Sequence, residues 1–165
     1  MELALAVGTD VSERGLAFAG FLVADYLPRA RGLGVSALVA GIWPQRDQLG
    51  AGFVEWWRWP AGLGPTLRVS SRSVRWDVTA GPSVGWLHLD GSSFDRTSSH
   101  DGVEWGAFLD VRAASRGKRG GVLALIDARI FPAGSSASAS GDGGPWFFPV
   151  PSFSVGLALG AWLAP

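Results

Sequence analysis

The chain has 165 residues and a formal net charge of zero, with 14 basic and 14 acidic side chains, and its basic residues are scattered, so the clustered positive charge of a nucleic-acid binder is missing. The absence of cysteine excludes disulfides and thiolate metal sites. Charged residues make up only 17% while Gly reaches 24 and Trp 9, which points to a surface covered largely by something other than water.

Period-two alternation of apolar with small or polar residues recurs along the whole chain and predicts eight strands: 2–10, 15–26, 32–43, 53–69, 74–86, 103–114, 121–131 and 152–163. No linker interrupts them, so a single β-barrel domain over 1–165 is expected. The strand-like run Glu2 to Asp10 follows Met1 directly, so any export signal is expected to be missing from this chain. The first connection, Val11 to Arg14, is a short loop. Near Pro60, the run Trp56-Trp57-Arg58-Trp59-Pro60 is expected to break the alternation with a bulge or a loop extension. From Val74 to Trp86, Val74, Trp76, Val78, Ala80, Val84 and Trp86 share a face opposite Arg75, Asp77, Thr79, Gly81, Ser83 and Gly85. In the last strand Phe153, Val155, Leu157, Leu159, Ala161 and Leu163 oppose Ser152, Ser154, Gly156, Ala158 and Gly160. The longest uncharged stretch, 144–165, is divided by Pro145, Pro149 and Pro151; a spanning helix needs about 20 residues and a spanning strand only ~9 to 11, so the lengths favour strands.

The connections alternate in length. Short turns at 27–31, 70–73 and 115–120 face longer loops at 44–51, 89–102 and 132–144, as in barrels whose short turns are periplasmic. This threading gathers Trp43, Trp57, Trp59, Trp86, Trp105, Phe131, Trp146 and Phe147 near the long-loop ends as an interfacial girdle, with Tyr26, Trp76 and Trp162 as a sparser belt at the other end. The short turns carry Arg29, Arg31, Arg72, Arg116, Lys118 and Arg119, while Asp47, Asp90, Asp95, Asp101 and Asp142 weight the long loops toward acidity.

On the small-residue phase sit Asp10, Asp25, Arg68, Arg75, Asp77, Glu104, Asp110, Arg112, Asp127 and Arg129. An eight-stranded barrel is just wide enough inside for side chains to fill. These residues are therefore expected to form a lumen ion-pair network, with opposite charges on neighbouring strands, that leaves no open pore. The two histidines, His88 and His100, fall at the third long loop beside Asp90, Asp95 and Asp101. Although Ser98, Ser99, His100 and Asp101 are the residue types of a nucleophilic triad, adjacency in sequence does not bring such groups together in space. Two histidines without a spaced partner motif give no metal site, and the Gly-rich spots lack phosphate-loop spacing. No catalytic residue, metal or cofactor is assigned.

The strand rhythm, the loop asymmetry and the final strand Ser152 to Leu163 resemble the small outer-membrane β-barrels of Gram-negative bacteria, the OmpA-like and OmpX-like group, over nearly the whole chain. The phrase Ala80-Gly-Pro-Ser-Val-Gly-Trp86 is also similar to uncharacterised members, and Ser154, Gly156, Leu159 and Ala161 loosely match the group's terminal assembly signal. That group usually stops on an aromatic residue, whereas this chain stops at Leu163-Ala-Pro165.

The resemblance implies an all-β fold, a closed antiparallel up-and-down transmembrane barrel of eight strands, in the bacterial outer membrane. A monomer is expected, embedded in lipid or detergent, with loops 44–51, 89–102 and 132–148 presented outward in a structural or surface-interaction role. Two rivals remain at this point. A soluble, lipocalin-like barrel binding a small apolar ligand would invert the phase, apolar residues lining the cavity and charges facing water. A membrane-embedded lipid-modifying enzyme would have only His88, Asp90 and His100 as its candidate centre.

Overall fold

In the computed structural model, residues 1–28, 32–49, 52–92, 99–117, 119–132, 136–141 and 144–164 are described, without the side chains of 49, 99–100, 136–141 and 144–147. The strands are β1 (Glu2–Ser12), β2 (Gly15–Tyr26), β3 (Gly32–Ile42), β4 (Gln45–Leu49), β5 (Gly52–Ser70), β6 (Val74–Ser92), β7 (Ser99–Ser115), β8 (Gly120–Ile130), β9 (Ser136–Gly141), β10 (Gly144–Pro149) and β11 (Phe153–Leu163). Each of β1, β2, β3, β5, β6, β7, β8 and β11 pairs antiparallel with two neighbours, and the β3–β5 pairing closes the ring into an eight-stranded barrel. Closure removes the sheet edges that an isolated strand would expose.

Alternation sets the two faces. In β2 the odd residues Ala17 to Asp25 are buried, while Leu16, Phe18 and Leu22 point outward; in β11 Ser154, Gly156, Ala158 and Trp162 are buried, while Leu157, Leu159 and Leu163 are exposed. The large apolar side chains therefore cover the outside, with Phe18 at 75% and Leu159 at 70% exposure, and charged side chains fill the inside. A water-soluble apolar-cavity barrel needs the reverse.

The turns follow local chemistry. Glu13 and Arg14 join β1 to β2: the Arg14 amide donates to Ser12 Oγ at 3.2 Å, and Gly15 accepts φ +119°, which side-chain-bearing residues rarely adopt. Between β5 and β6 the Ser71 amide and hydroxyl both donate to the Val74 carbonyl, at 2.9 and 2.8 Å.

Two sequence expectations need correction. No bulge forms at Pro60. Pro60 pairs with Gly85, and the register from Phe53↔Ser92 to Ser70↔Arg75 never shifts. The even residues of β5 face inward and the odd residues outward, so Trp56 and Arg58 are buried while Trp57 and Trp59 lie on the outer face. The alternation is regular, but an inward Trp disguises it. The long connections are also more ordered than expected: β6 continues to Ser92, β7 begins at Ser99, β4 pairs with Gly52 to Trp56 of β5, and β9 with β10 makes a hairpin. β5 and β6, at 19 residues each, exceed the 11 residues of β1, β3, β8 and β11. At ~3.3 Å per residue they project roughly 25 Å beyond the barrel at the long-loop end.

Candidate functional site

The lumen holds two groups of ion pairs, one toward each end, which meet where Asp110 of β7 and Asp127 of β8 are register partners. In the group nearer the short turns, Arg68 donates to Asp77 (2.6 and 2.8 Å) and to Glu2 (2.9 and 2.8 Å), and Arg75 reaches Glu2 at 2.7 Å. Arg112 donates to both oxygens of Asp25 (2.7 and 3.0 Å) and lies 2.6 Å from Asp110. Ser36 donates to Asp25, Thr66 to Ser36 at 2.5 Å, and Thr66 and Thr79 share a bond of 2.7 Å. In the group nearer the long loops, Arg58 pairs with Glu104 at 2.7 Å, and Arg129 pairs with Asp127 and lies 3.6 Å from Asp10. Phe21 and Phe108 pack among them against lumen-facing Gly156 and Gly62, where an added Cβ would come within 2.6 Å of either ring.

All ten charged residues singled out in the sequence are buried. The ladder of opposite charges holds across β5, β6 and β7, where Asp77 is the register partner of both Arg68 and Arg112, but between β7 and β8 Asp110 sits directly opposite Asp127. Neutralisation comes instead from the same strand two residues on, as in Asp110 with Arg112 and Asp127 with Arg129, and from across the lumen, as in Arg112 of β7 with Asp25 of β2. Burying these charges is tolerable only because each has at least one opposite charge within 4 Å. Sequence reasoning missed two members, Glu2 and Arg58, though strand parity marks both: Glu2 shares the phase of Ala4, Ala6 and Asp10, and Arg58 that of Arg68.

The aromatic assignments divide. Tyr26, Trp43, Trp59, Trp76, Trp86 and Trp105 are exposed on the outer face at 50 to 71%, and Trp57 is partly exposed beside Trp59 at 6.3 Å between ring centroids. Phe131 and Trp162 are corrected. At 1% and 3% exposure they point into the lumen, where Arg58 lies over the Phe131 ring at 4.4 Å and Arg75 over the Trp162 ring at 4.0 Å. Both share the parity of inward neighbours, Arg129 for Phe131 and Ala158 for Trp162. A cation over an aromatic face is stabilised by the ring quadrupole, which explains why large rings stand among arginines. The side chains of Trp146 and Phe147 lie outside the described residues.

At the long-loop mouth a second apolar cluster forms. Val54, Trp56, Leu87 and Leu89, on the inner side of the projecting β5 and β6, pack with Phe148 and Val150. Arg58 donates to the Pro151 carbonyl at 3.0 Å, and Arg14 donates to the Pro149 carbonyl at 3.1 Å while its guanidinium lies over Phe148. The segment after β10 is thereby tied over the lumen.

On the outer face of the projection, Trp57, His88 and Asp101 are register partners; His88 stacks on Trp57 at 5.0 Å and its Nδ1 lies 2.7 Å from Asp101 Oδ1. Asp90 is exposed in the row beyond, opposite Glu55. Ser98 and the side chains of Ser99 and His100 lie outside the described residues, as do Arg29, Arg31, Lys118, Asp95 and Asp142. Among the described residues no group of three His, Asp or Glu side chains is arranged to hold a metal, and no helix is long and apolar enough to cross a membrane.

No family model matches the sequence, and no curated protein matches it. Solved structures do share the fold. The chain is similar to a major outer membrane protein from Thermus thermophilus, with a TM-score of 0.68 at 14% identity over 98% of both chains. It is similar to Ail, the attachment invasion locus protein of Yersinia pestis, with a TM-score of 0.57 at 12% identity over 98% of this chain and 95% of that one. Neisserial surface protein A gives a TM-score of 0.56 at 14% identity over 98% and 94%. The fold is that of the eight-stranded outer-membrane barrels.

Proposed function

We propose that this chain is an integral barrel of the bacterial outer membrane, with a structural or surface-interaction role, whose lumen is closed by its own side chains. The carrying observation is the inverted distribution of polarity. Arg58, Arg112, Arg129, Asp77, Asp110 and Asp127 are at most 2% exposed, while Leu5, Val7, Phe18, Val122 and Leu159 stand at 63 to 75% on the opposite face. Such a wall is stable where hydrocarbon, not water, surrounds it. The exposed Trp43, Trp59, Trp86 and Trp105 act as the interfacial girdle near the long-loop side, and Tyr26 with Trp76 as the belt near the short turns.

The protein works as a monomer in lipid, without a cofactor and without catalysis. The buried ion pairs, the Phe21 and Phe108 rings among them and the Phe148–Val150 cap argue against conduction. The projecting β4–β7 sheet is the surface that meets partners. Ail has been solved with the heparin analogue sucrose octasulfate, but among the described residues the outer face of this projection carries Glu55, Asp90 and Asp101 against Arg46 and His88, an acidic excess that favours a different, non-polyanionic partner.

The test is folding in detergent micelles or phospholipid vesicles against plain buffer, followed by circular dichroism and heat-modifiable gel migration, with conductance then recorded in planar bilayers. Folding only with detergent or lipid, without discrete conductance steps, is the expected result. A folded monomer in plain buffer would refute the membrane reading, and steady unitary conductance would refute the closed lumen.

A further inference from the structure

Among the described residues, the outer wall contains a hollow that the fold itself does not require. Inside the barrel, glycines are forced by packing: an added Cβ at Gly64, Gly81, Gly106 or Gly160 would lie 2.0 to 2.3 Å from a backbone oxygen of a neighbouring strand. Gly20 and Gly41 are different. They are register partners on β2 and β3 and point outward. A Cβ at Gly20 would meet nothing within 4 Å, and one at Gly41 only Trp59 Cε2 at 4.0 Å. Neither has a positive φ that demands glycine. Glycine within a strand weakens it, and where neither bend nor bulge explains it, it marks the close approach of another molecule.

Around this floor the wall is tall. Trp43 stands beyond it toward the long loops, Leu22 and Val39 toward the short turns, and Trp57 and Trp59 flank it. The resulting groove encloses about 560 Å³ and is almost wholly apolar, within the ~300 to 1,000 Å³ range of small-molecule sites. It meets the polar row of Trp57, His88 and Asp101 at the long-loop end through Trp57, which both lines the groove and stacks on His88.

We propose that this groove is a lipid site that seats one acyl chain of a bilayer phospholipid along the strands, its head group at the Trp57–His88–Asp101 row. This rests on the membrane-barrel reading, which places the groove within the hydrocarbon wall, where acyl chains are the surrounding molecules. The glycine floor removes the side chains that would otherwise hold a chain off the sheet. The girdle tryptophans Trp43, Trp57 and Trp59 provide rigid apolar walls whose indole groups lie toward the interface. A chain seated there exchanges more slowly than its neighbours.

The test uses the 165-residue protein folded in dodecyl maltoside, incubated with dipalmitoyl phosphatidylethanolamine, whose ammonium suits the Asp101 carboxylate, and examined by native mass spectrometry. Wild type is expected to retain one lipid. Gly41→Phe and Gly20→Leu, each filling the floor from a different strand, are expected to retain it at least tenfold less while keeping wild-type heat-modifiable migration. Equal retention by wild type and by folded filled variants would overturn the site. A detergent-stable dimer that either substitution breaks would also overturn it, by assigning the hollow to a second copy. Failure of wild type to fold in detergent or lipid would instead strike the membrane-barrel reading, a result distinguishable from both.

Discussion

Arg112→Met offers the sharpest probe of the lumen. The Arg112 side chain is 3% exposed and binds two carboxylates, Asp25 at 2.7 and 3.0 Å and Asp110 at 2.6 Å. Methionine keeps much of the volume and removes the charge. Asp25 would retain Arg68 at 3.6 Å, but Asp110 has no second ion-pair partner among the described residues. Breaking a buried pair from one side costs about 3–5 kcal/mol, because the charge left behind is neither hydrated nor paired. That is roughly two to four orders of magnitude in the folding constant. Urea unfolding in phospholipid vesicles, followed by tryptophan fluorescence, measures it. Arg116→Met is the control: Arg116 is exposed on a turn and its guanidinium donates to the Ser71 carbonyl, so its loss is expected to stay within about 0.5 kcal/mol. Adding Asp110→Asn to Arg112→Met removes the orphaned charge and is expected to recover about half of the loss or more. A cost below about 1 kcal/mol for Arg112→Met, matching the control, would refute the reasoning, since it would mean that water solvates these carboxylates and the lumen is wet.

Other outcomes follow from the same architecture. Leu159→Arg, at a mid-strand position of β11 that is 70% exposed, is expected to destabilise the barrel in vesicles by about 2–4 kcal/mol; a change within about 0.5 kcal/mol in the same urea titration would mean that this face meets water. Lipids brominated along the acyl chain should quench Trp105, 71% exposed, and spare Trp162, 3% exposed; Trp105→Phe therefore lowers total quenching and Trp162→Phe does not, and equal effects would contradict the inward placement of Trp162. Gly81→Ala, where a Cβ would lie 2.3 Å from the Leu63 carbonyl oxygen, is expected to cost more than about 2 kcal/mol or block folding, whereas Gly20→Ala, with open space around it, should fold and unfold like wild type. Similar losses at both glycines would remove the distinction between required and unrequired glycines.

Strand number, the polarity of the two faces and the loop asymmetry were legible because a strand's side-chain period is two, so parity alone assigns each residue to a face. The same parity marks Phe131 and Trp162 as inward, beside Arg129 and Ala158, although a preference for aromatics at interfaces assigned them outward. At Trp56 an inward aromatic concealed a regular strand, and at Glu2 and Arg58 the phase was sufficient but went unused. Parity says nothing about which strands meet across the barrel. That Arg112 grips Asp25 on the strand diametrically opposite in the ring, and that Asp110 faces Asp127 and is neutralised two residues along its own strand, depends on register and closure. The projecting sheet, the Phe148–Val150 cap and the hollow over Gly20 and Gly41 likewise arise from pairings between distant segments. The sequence by itself determined which face each side chain takes, because that is a local property of the extended backbone; the tertiary structure alone decided which charges, rings and glycines come into contact, because ring closure sets the relative heights of all eight strands at once.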